Sequence, residues 1–324
     1  MDKKLNEKSN ILLPPNKNHK ILIFFLKYSS MEGIEVISKQ NDILGEGPMW
    51  DKKYNRLYWV DIIGRSLKYY DISDRQIMTK RMSGPISSVA QSKSGKLYIT
   101  MGHGFYSIDP FSNNVKLLYE IEVDVKNNRF NDGKVDPYGN YWAGTMDINQ
   151  KDAKGSLYVF HRNGKIIRIL KDLTVSNGLS WNLKEMKFYH IDSPTRKIRV
   201  FDYIKDGGII NGKVSIDFRD QKGVPDGMTI DDEGMLWIAH WGGSRISRWD
   251  PNQGKKIDEI QFPALNITSC TFGGKDLDEL YVTSRTLTEA QKRDDKDIGG
   301  SLFCIRTGVR GVETQCFDDG LYGE

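Results

Sequence analysis

The chain has 324 residues, with 47 Lys and Arg against 43 Asp and Glu, a net charge of +4, and 38% hydrophobic residues. The two charge signs are mixed throughout and no basic stripe is interleaved with aromatics, which excludes nucleic acid as a partner. Three cysteines, Cys270, Cys304 and Cys316, are too few and too odd in number for a disulfide framework; they fit a reducing, cytoplasmic setting.

Residues 1–20 are polar, with Pro14-Pro15 and many Lys and Asn, and Ile21-Leu-Ile-Phe-Phe-Leu26 follows as the first apolar run. Six residues are too few for a secretory h-region or a bilayer span, so no membrane partner is expected. Residues 1–33 read as a disordered extension or as an over-long reading frame whose true start is Met31. From residue 34 to 324 no linker or low-complexity segment intervenes, which predicts one domain. Ile34-Glu-Val-Ile-Ser is the natural closing strand, expected to pair near Val312 to Phe317.

Between those ends one unit recurs six times. In chain order its inner segments begin Glu46-Gly-Pro-Met-Trp-Asp, Ser87-Ser-Val-Ala, Asn131-Asp-Gly-Lys-Val-Asp, Asn177-Gly-Leu-Ser-Trp-Asn, Asp226-Gly-Met-Thr-Ile-Asp and Cys270-Thr-Phe, and each is followed by a turn and an aromatic-rich strand. The starts lie 41 to 49 residues apart. Short strands on a period of roughly 40–50 residues are the sequence form of a β-propeller blade. The expected fold is all-β: a six-bladed propeller over residues 34–324, expected to act as a monomer. The segments 116–129 and 286–299 are longer, charged insertions, expected at blade edges or over the channel mouth.

Counting back from each unit's strand aromatic gives an eleven-residue step to Ser87, Asn131, Asn177, Asp226 and Cys270, and a twelve-residue step to Glu46. Equivalent positions in a propeller ring its axis. Two carboxylates and two carboxamides at one level make an oxygen-rich cage for a hard divalent cation. Taken singly, Asn-Gly and Asp-Gly are ordinary turn dipeptides; their phase-locked recurrence is what points to a site. Other residues weigh less. His103, His161 and His190 look structural, and His240 lies close enough to the Asp226 unit to be weighed as a substrate contact. Asn266-Ile-Thr is a glycosylation sequon. Asp295-Lys-Asp297 lacks the ligands of an EF-hand. There is no Gly-x-Ser-x-Gly, His-Glu-x-x-His or P-loop.

The stretches Leu44-Gly-Glu-Gly-Pro-Met-Trp, Asn128-Arg-Phe-Asn-Asp-Gly-Lys-Val-Asp-Pro, Ala143-Gly-Thr-Met, Ser176-Asn-Gly-Leu, Pro225-Asp-Gly-Met and Cys270-Thr-Phe-Gly-Gly together give the chain a resemblance. It resembles the senescence-marker-protein/regucalcin/gluconolactonase/luciferin-regenerating enzyme family, nearest its regucalcin branch, over residues 34–322. The resemblance implies one divalent metal in the channel, calcium or zinc with magnesium or manganese as alternatives. Carried over residue by residue, Glu46, Asn177 and Asp226 would be ligands. Asn131 would act beside them, directly or through water, and Arg129 would hold substrate hydroxyls. The position where related lactonases can carry an acidic sugar-gripping residue is Asn149, which leaves substrate preference open.

The expected activity is metal-dependent hydrolysis of a small sugar lactone. Hydrolysing a cyclic ester builds negative charge on the carbonyl oxygen, which a cation offsets as a Lewis acid. Asp226 is the expected general base, and the planar donor fork of Arg129 suits vicinal hydroxyls. The competing expectations are a calcium-binding regulatory protein with little turnover, and a related ester or phosphotriester hydrolase. Arg129 and Asn131 beside the ligands favour catalysis, since a calcium buffer has no use for an arginine there.

Overall fold

The computed structural model describes residues 33–39, 42–109, 114–205, 207–288, 291 and 296–320. The expectations for the N-terminal extension therefore fall outside the described residues, except at Gly33, as does part of the 286–299 insertion.

The strands form six four-stranded antiparallel sheets. Five are built from consecutive strands: blade 1 over residues 45–81, blade 2 over 86–120, blade 3 over 128–173, blade 4 over 176–217 and blade 5 over 224–261. Blade 6 takes three strands from residues 267–306 and its outermost strand, Glu35–Ser38, from the N-terminal side. This is the expected six-bladed propeller. Joining the two ends of the chain in one sheet closes the ring without leaving a seam unsealed.

The closing partner differs from expectation. Glu35 pairs with Cys304, Val36 with Phe303 and Ser38 with Leu302, so the partner is the strand Leu302–Arg306 and not Val312 to Phe317. The later segment makes only isolated bridges, Asp231 with Gly311 and Ser92 with Phe317. It crosses the end of the channel at the inner hairpins.

The inner strands are buried along their length, as in Ser176–Asn182 and Ile267–Gly273. The outer strands alternate: Gln76–Arg81 is exposed at every other position or more. Apolar residues from neighbouring sheets meet in six clusters, one in each seam between blades. The seam between blades 6 and 1 gathers Trp50, Trp59, Tyr281 and Leu302, and Trp50 stacks on Tyr281 at 5.8 Å. A large apolar side chain contributes roughly 1.5–3 kcal/mol when fully buried. Because each is buried by the next blade, no blade holds its core alone.

Aspartates fix the inner hairpins. The Asp136 carboxylate accepts from the Tyr138 and Asn140 amides, the Trp142 indole at 2.8 Å and the Tyr203 hydroxyl at 2.7 Å. Asp231 repeats the device with the Glu233 and Met235 amides, the Trp237 indole and Arg248. In these two blades the repeated aromatic of the sequence period is thus tied to the turn before it. All three cysteines are free. Asn266 of the sequon is buried, its side-chain oxygen accepting from the Gly242 amide, so the folded chain does not present it for glycosylation. No helix among the described residues is long and apolar enough to cross a membrane.

Candidate metal and substrate site

Every inner strand carries a bulge at one level of the channel. The register breaks between Glu46 and Met49, Ile86 and Ser88, Phe130 and Gly133, Ser176 and Leu179, Pro225 and Met228, and Ile267 and Ser269. A bulge re-aims a side chain out of the pleat, and here it turns one residue per blade toward the axis. The glycine that follows is a packing requirement. A Cβ on Gly178 would lie 2.8 Å from the Asp226 carbonyl oxygen, and one on Gly133 2.6 Å from Ser88 Oγ. Asn-Gly and Asp-Gly are therefore bulged strand, not turns.

The bulges place Ser87, Asn131, Asn177 and Asp226 in equivalent positions, as the spacing predicted. Two positions differ. In blade 6 the equivalent residue is Thr268, because the inner hairpin is longer there: Thr271 pairs with Tyr281 where Thr229 pairs with Trp237. Cys270 lies further along the strand, opposite Val282. In blade 1 the register equivalent is Gly47, with φ of +51°, and the preceding Glu46 supplies the acid on its longer side chain.

Glu46, Asn131, Asn177 and Asp226 are all buried. The Asn177 amide donates to Asp226 Oδ1 at 2.5 Å and to Ser193 Oγ at 3.1 Å, while its carbonyl oxygen is buried without any partner. Glu46 accepts from the Gly47 amide at 2.9 Å. Burial, then the like charges of Asp226 and Asp132, hold the Glu46 carboxyl well above the usual carboxylate range. Asp226 is pushed up in the same way by burial and by Asp132, against the Asn177 hydrogen bond. A buried carbonyl oxygen with nothing to accept, beside two crowded carboxylates, is the donor set that a hard divalent cation satisfies. No three His, Cys, Asp or Glu side chains among the described residues are grouped to hold a metal, so any such site must draw on the amide oxygens.

Half-buried Arg129 donates from one guanidinium nitrogen to the Phe130 carbonyl at 2.8 Å and to Asn131 Oδ1 at 3.1 Å. The Asn131 amide donates onward to the Ser176 carbonyl of blade 4. Asn131 thus braces Arg129 against the next blade. Burial pushes the Arg129 pKa down to about 10, with Glu46 opposing, which leaves it cationic at neutral pH. Asn149 lies outside this group, exposed on a loop that the Asp147 carboxylate holds by accepting from the Asn149, Lys151 and Asp152 amides.

His240 does not reach the channel. Its ring is fully buried between the Lys222 carbonyl and Ser247 Oγ. Asp132 and Ser193 went unread in the sequence. Asp132 stands one residue past the ring position in the Asn-Asp-Gly triplet, where only its charge marked it. Ser193 comes from a 3-10 turn, Ser193–Thr195, and nothing in its sequence context marks it.

The model of the SMP-30/gluconolactonase/LRE-like region matches residues 44–286. The chain belongs to this family. Regucalcin of Gallus gallus is 38% identical over 289 residues, covering 86% of this chain and 96% of that protein. A Bacillus subtilis protein named as a sugar lactone lactonase, YvrE, is 37% identical and covers 84% of this chain and 94% of its own length. Among solved structures, a luciferin-regenerating enzyme superposes with a TM-score of 0.82 at 31% identity, covering 87% of this chain and 98% of that one. A regucalcin from Agrobacterium tumefaciens, described as a calcium-binding protein, gives 0.81 at 26%, covering 88% and 97%.

Proposed function

We propose that the protein hydrolyses sugar lactones with one divalent cation held by Glu46, Asn177 and Asp226. The observation that carries this is the unpartnered Asn177 carbonyl oxygen, buried beside two carboxylates that crowd one another. Membership of a family that contains sugar lactonases agrees with it. A bound cation would act as a Lewis acid on the ester carbonyl. All the donors are oxygens, which favours calcium, magnesium or manganese over zinc.

The residues of the chain divide the remaining work. Asn177 fixes one Asp226 oxygen through its amide, so Asp226 keeps its second oxygen to take a proton from the attacking water. Glu46 and Asp226 bring two negative charges, and neutral Asn177 leaves the site from being over-neutralised. Arg129, braced by Asn131, binds vicinal hydroxyls of the sugar. Asn131 stands ready to assist the cation directly or through water. Asn149, at the position where the resemblance would put an acidic sugar-gripping residue, stands exposed outside this group, so no acidic grip on the sugar is expected from that loop.

The test is proton release on adding glucono-1,5-lactone to metal-stripped protein, repeated with calcium, zinc, magnesium and manganese. Turnover restored by metal well above the spontaneous rate is the expected result. Tight metal binding without turnover on any sugar lactone would overturn the hydrolase reading in favour of a calcium-binding protein.

A further inference from the structure

We infer that the far half of the channel is a second binding site, built for a neutral, largely apolar molecule with one hydrogen-bonding head group. This rests on a cavity that none of the proposed metal ligands lines, and its test is independent of the lactonase reading.

The cavity encloses about 310 Å³. On the inner strands of blades 2 to 6 its lining residues come after the ring position, and in blade 1 they start at it with Gly47; all run toward the hairpins, and Glu46, Asn131, Asn177 and Asp226 are not among them. Its walls are mainly apolar: Met49, Val89, Val135, Trp181, Ile230 and Val312. The roof is the strap of chain that the sequence had suggested as the closing strand's partner. Gly311 donates to the Leu277 carbonyl and Asp232 to the Arg310 carbonyl at one end. At the other end Phe317 donates to the Gln91 carbonyl, accepts from the Lys93 amide, and buries its ring 4.6 Å from Tyr98. Between these anchors Val312 to Gln315 cross the opening, with Glu313 tied to Lys52 at 3.1 Å.

The floor sets the ligand's chemistry. Lys134 spans from blade 3 to the Met228 carbonyl of blade 5 at 2.8 Å, and Asp132 lies within electrostatic reach of it. The ammonium has three donors and this bond uses one. The two opposite charges compensate each other, Asp231 is paired with Arg248, and the other charges of the lining, Lys184, Asp232 and Glu313, are exposed at its rim, so an ionic head at the floor would be buried without a counter-charge, which is costly. A neutral head that both donates and accepts, such as a hydroxyl, meets the lysine and the carboxylate together. The volume holds about ten non-hydrogen atoms, taking the ~30 Å³ share of one water as the yardstick, and lies at the small end of ligand pockets.

The experiment compares 1-octanol, octanoate and octylammonium by titration calorimetry against the full-length protein. Octanol should bind saturably at one site per chain, at least tenfold more tightly than either ion. Val312 is 46% exposed on the strap, so V312D places a carboxylate in the roof without disturbing a seam. It should weaken octanol binding tenfold or more and leave metal affinity and lactone turnover unchanged, while D226A should retain octanol binding. Absence of saturable octanol binding, equal binding of the ions, or wild-type binding by V312D would each overturn the inference. Loss of turnover on lactones would leave it standing.

Discussion

Blades 4 and 5 and blades 2 and 6 use one backbone device for opposite ends. In blades 4 and 5 the bulge turns Asn177 and Asp226 into the channel, where they bond each other and leave an oxygen unsatisfied. In blades 2 and 6 it carries Ser87 and Thr268, whose hydroxyls turn back to the next blade: Ser87 Oγ donates to the Phe130 carbonyl and Thr268 Oγ1 to the Gly45 carbonyl, each at 2.6 Å. The support behind the ring differs in the same way. Blades 4 and 5 back it with buried imidazoles, His190 on Ser176 and His240 on Ser247. Blades 2 and 6 use hydroxyl pairs, Ser88 with Thr100 and Thr268 with Thr283. A propeller level is thus divided between groups held out for a ligand and groups that knit the ring.

The sharpest break in this comparison is D226A. It should lower turnover by roughly 10²–10⁴-fold through loss of the base alone, and weaken metal binding as well, read by steady-state kinetics and calorimetry. Activity within a few-fold of wild type would remove Asp226 from the site.

The imidazole-backed blades should also respond to acid. Burial pushes the His240 pKa down to about 4 and that of His190 to about 3. Both rings stay neutral in the folded protein, while the unfolded chain takes up protons below its ordinary pKa of 6.5. The unfolded state then binds more protons, so stability falls as pH drops from 6.5 toward 4. For His240 this amounts to on the order of 3 kcal/mol, at ~1.4 kcal/mol per pKa unit. H240N should be less stable at pH 7 and lose less between pH 7 and 4; parallel wild-type and variant urea midpoints would refute it.

The architecture was legible because each blade repeats an aromatic a near-constant distance past its inner segment; in blades 3 and 5 that aromatic bonds its own turn aspartate, Trp142 to Asp136 and Trp237 to Asp231. That bond fixes a distance along the chain in those two blades, which is why counting back found Asn131 and Asp226. The same ruler failed in blade 6, where a longer hairpin moved the count from Thr268 to Cys270. The closing strand Glu35–Ser38 was read correctly, but its partner was misread: the bonds of Val312 to Phe317 run to hairpin ends and not along a sheet edge. Asp132 stayed hidden because its charge acts across blades, which no spacing within one repeat encodes, and Ser193 because it comes from a 3-10 turn outside the repeated inner strands of its own blade.

A smaller effect is expected where the channel side meets substrate without touching the acid pair. R129A should raise KM for a sugar lactone about tenfold, the worth of a charged hydrogen bond near 1.5 kcal/mol, with kcat changed only a few-fold. A collapse of kcat at unchanged KM would instead give Arg129 a part in the chemical step.

The least effect on activity belongs to the hydroxyl blades. S87A and T268A each remove a fully buried hydroxyl; T268A takes that donor from the Gly45 carbonyl, while after S87A the Phe130 carbonyl keeps its bond from Arg129, so S87A sits at the low end of the cost. An unsatisfied buried acceptor costs roughly 1–3 kcal/mol, a Tm loss of about 2–4 °C per kcal/mol in a domain of this size. Neither residue presents an oxygen to the ligand, so metal affinity and turnover of the folded protein should stay at wild-type values. The pair separates two accounts of the ring. If all six positions served the ligand, S87A and T268A would cut metal affinity with little change in Tm; if the level is divided, Tm falls and affinity holds.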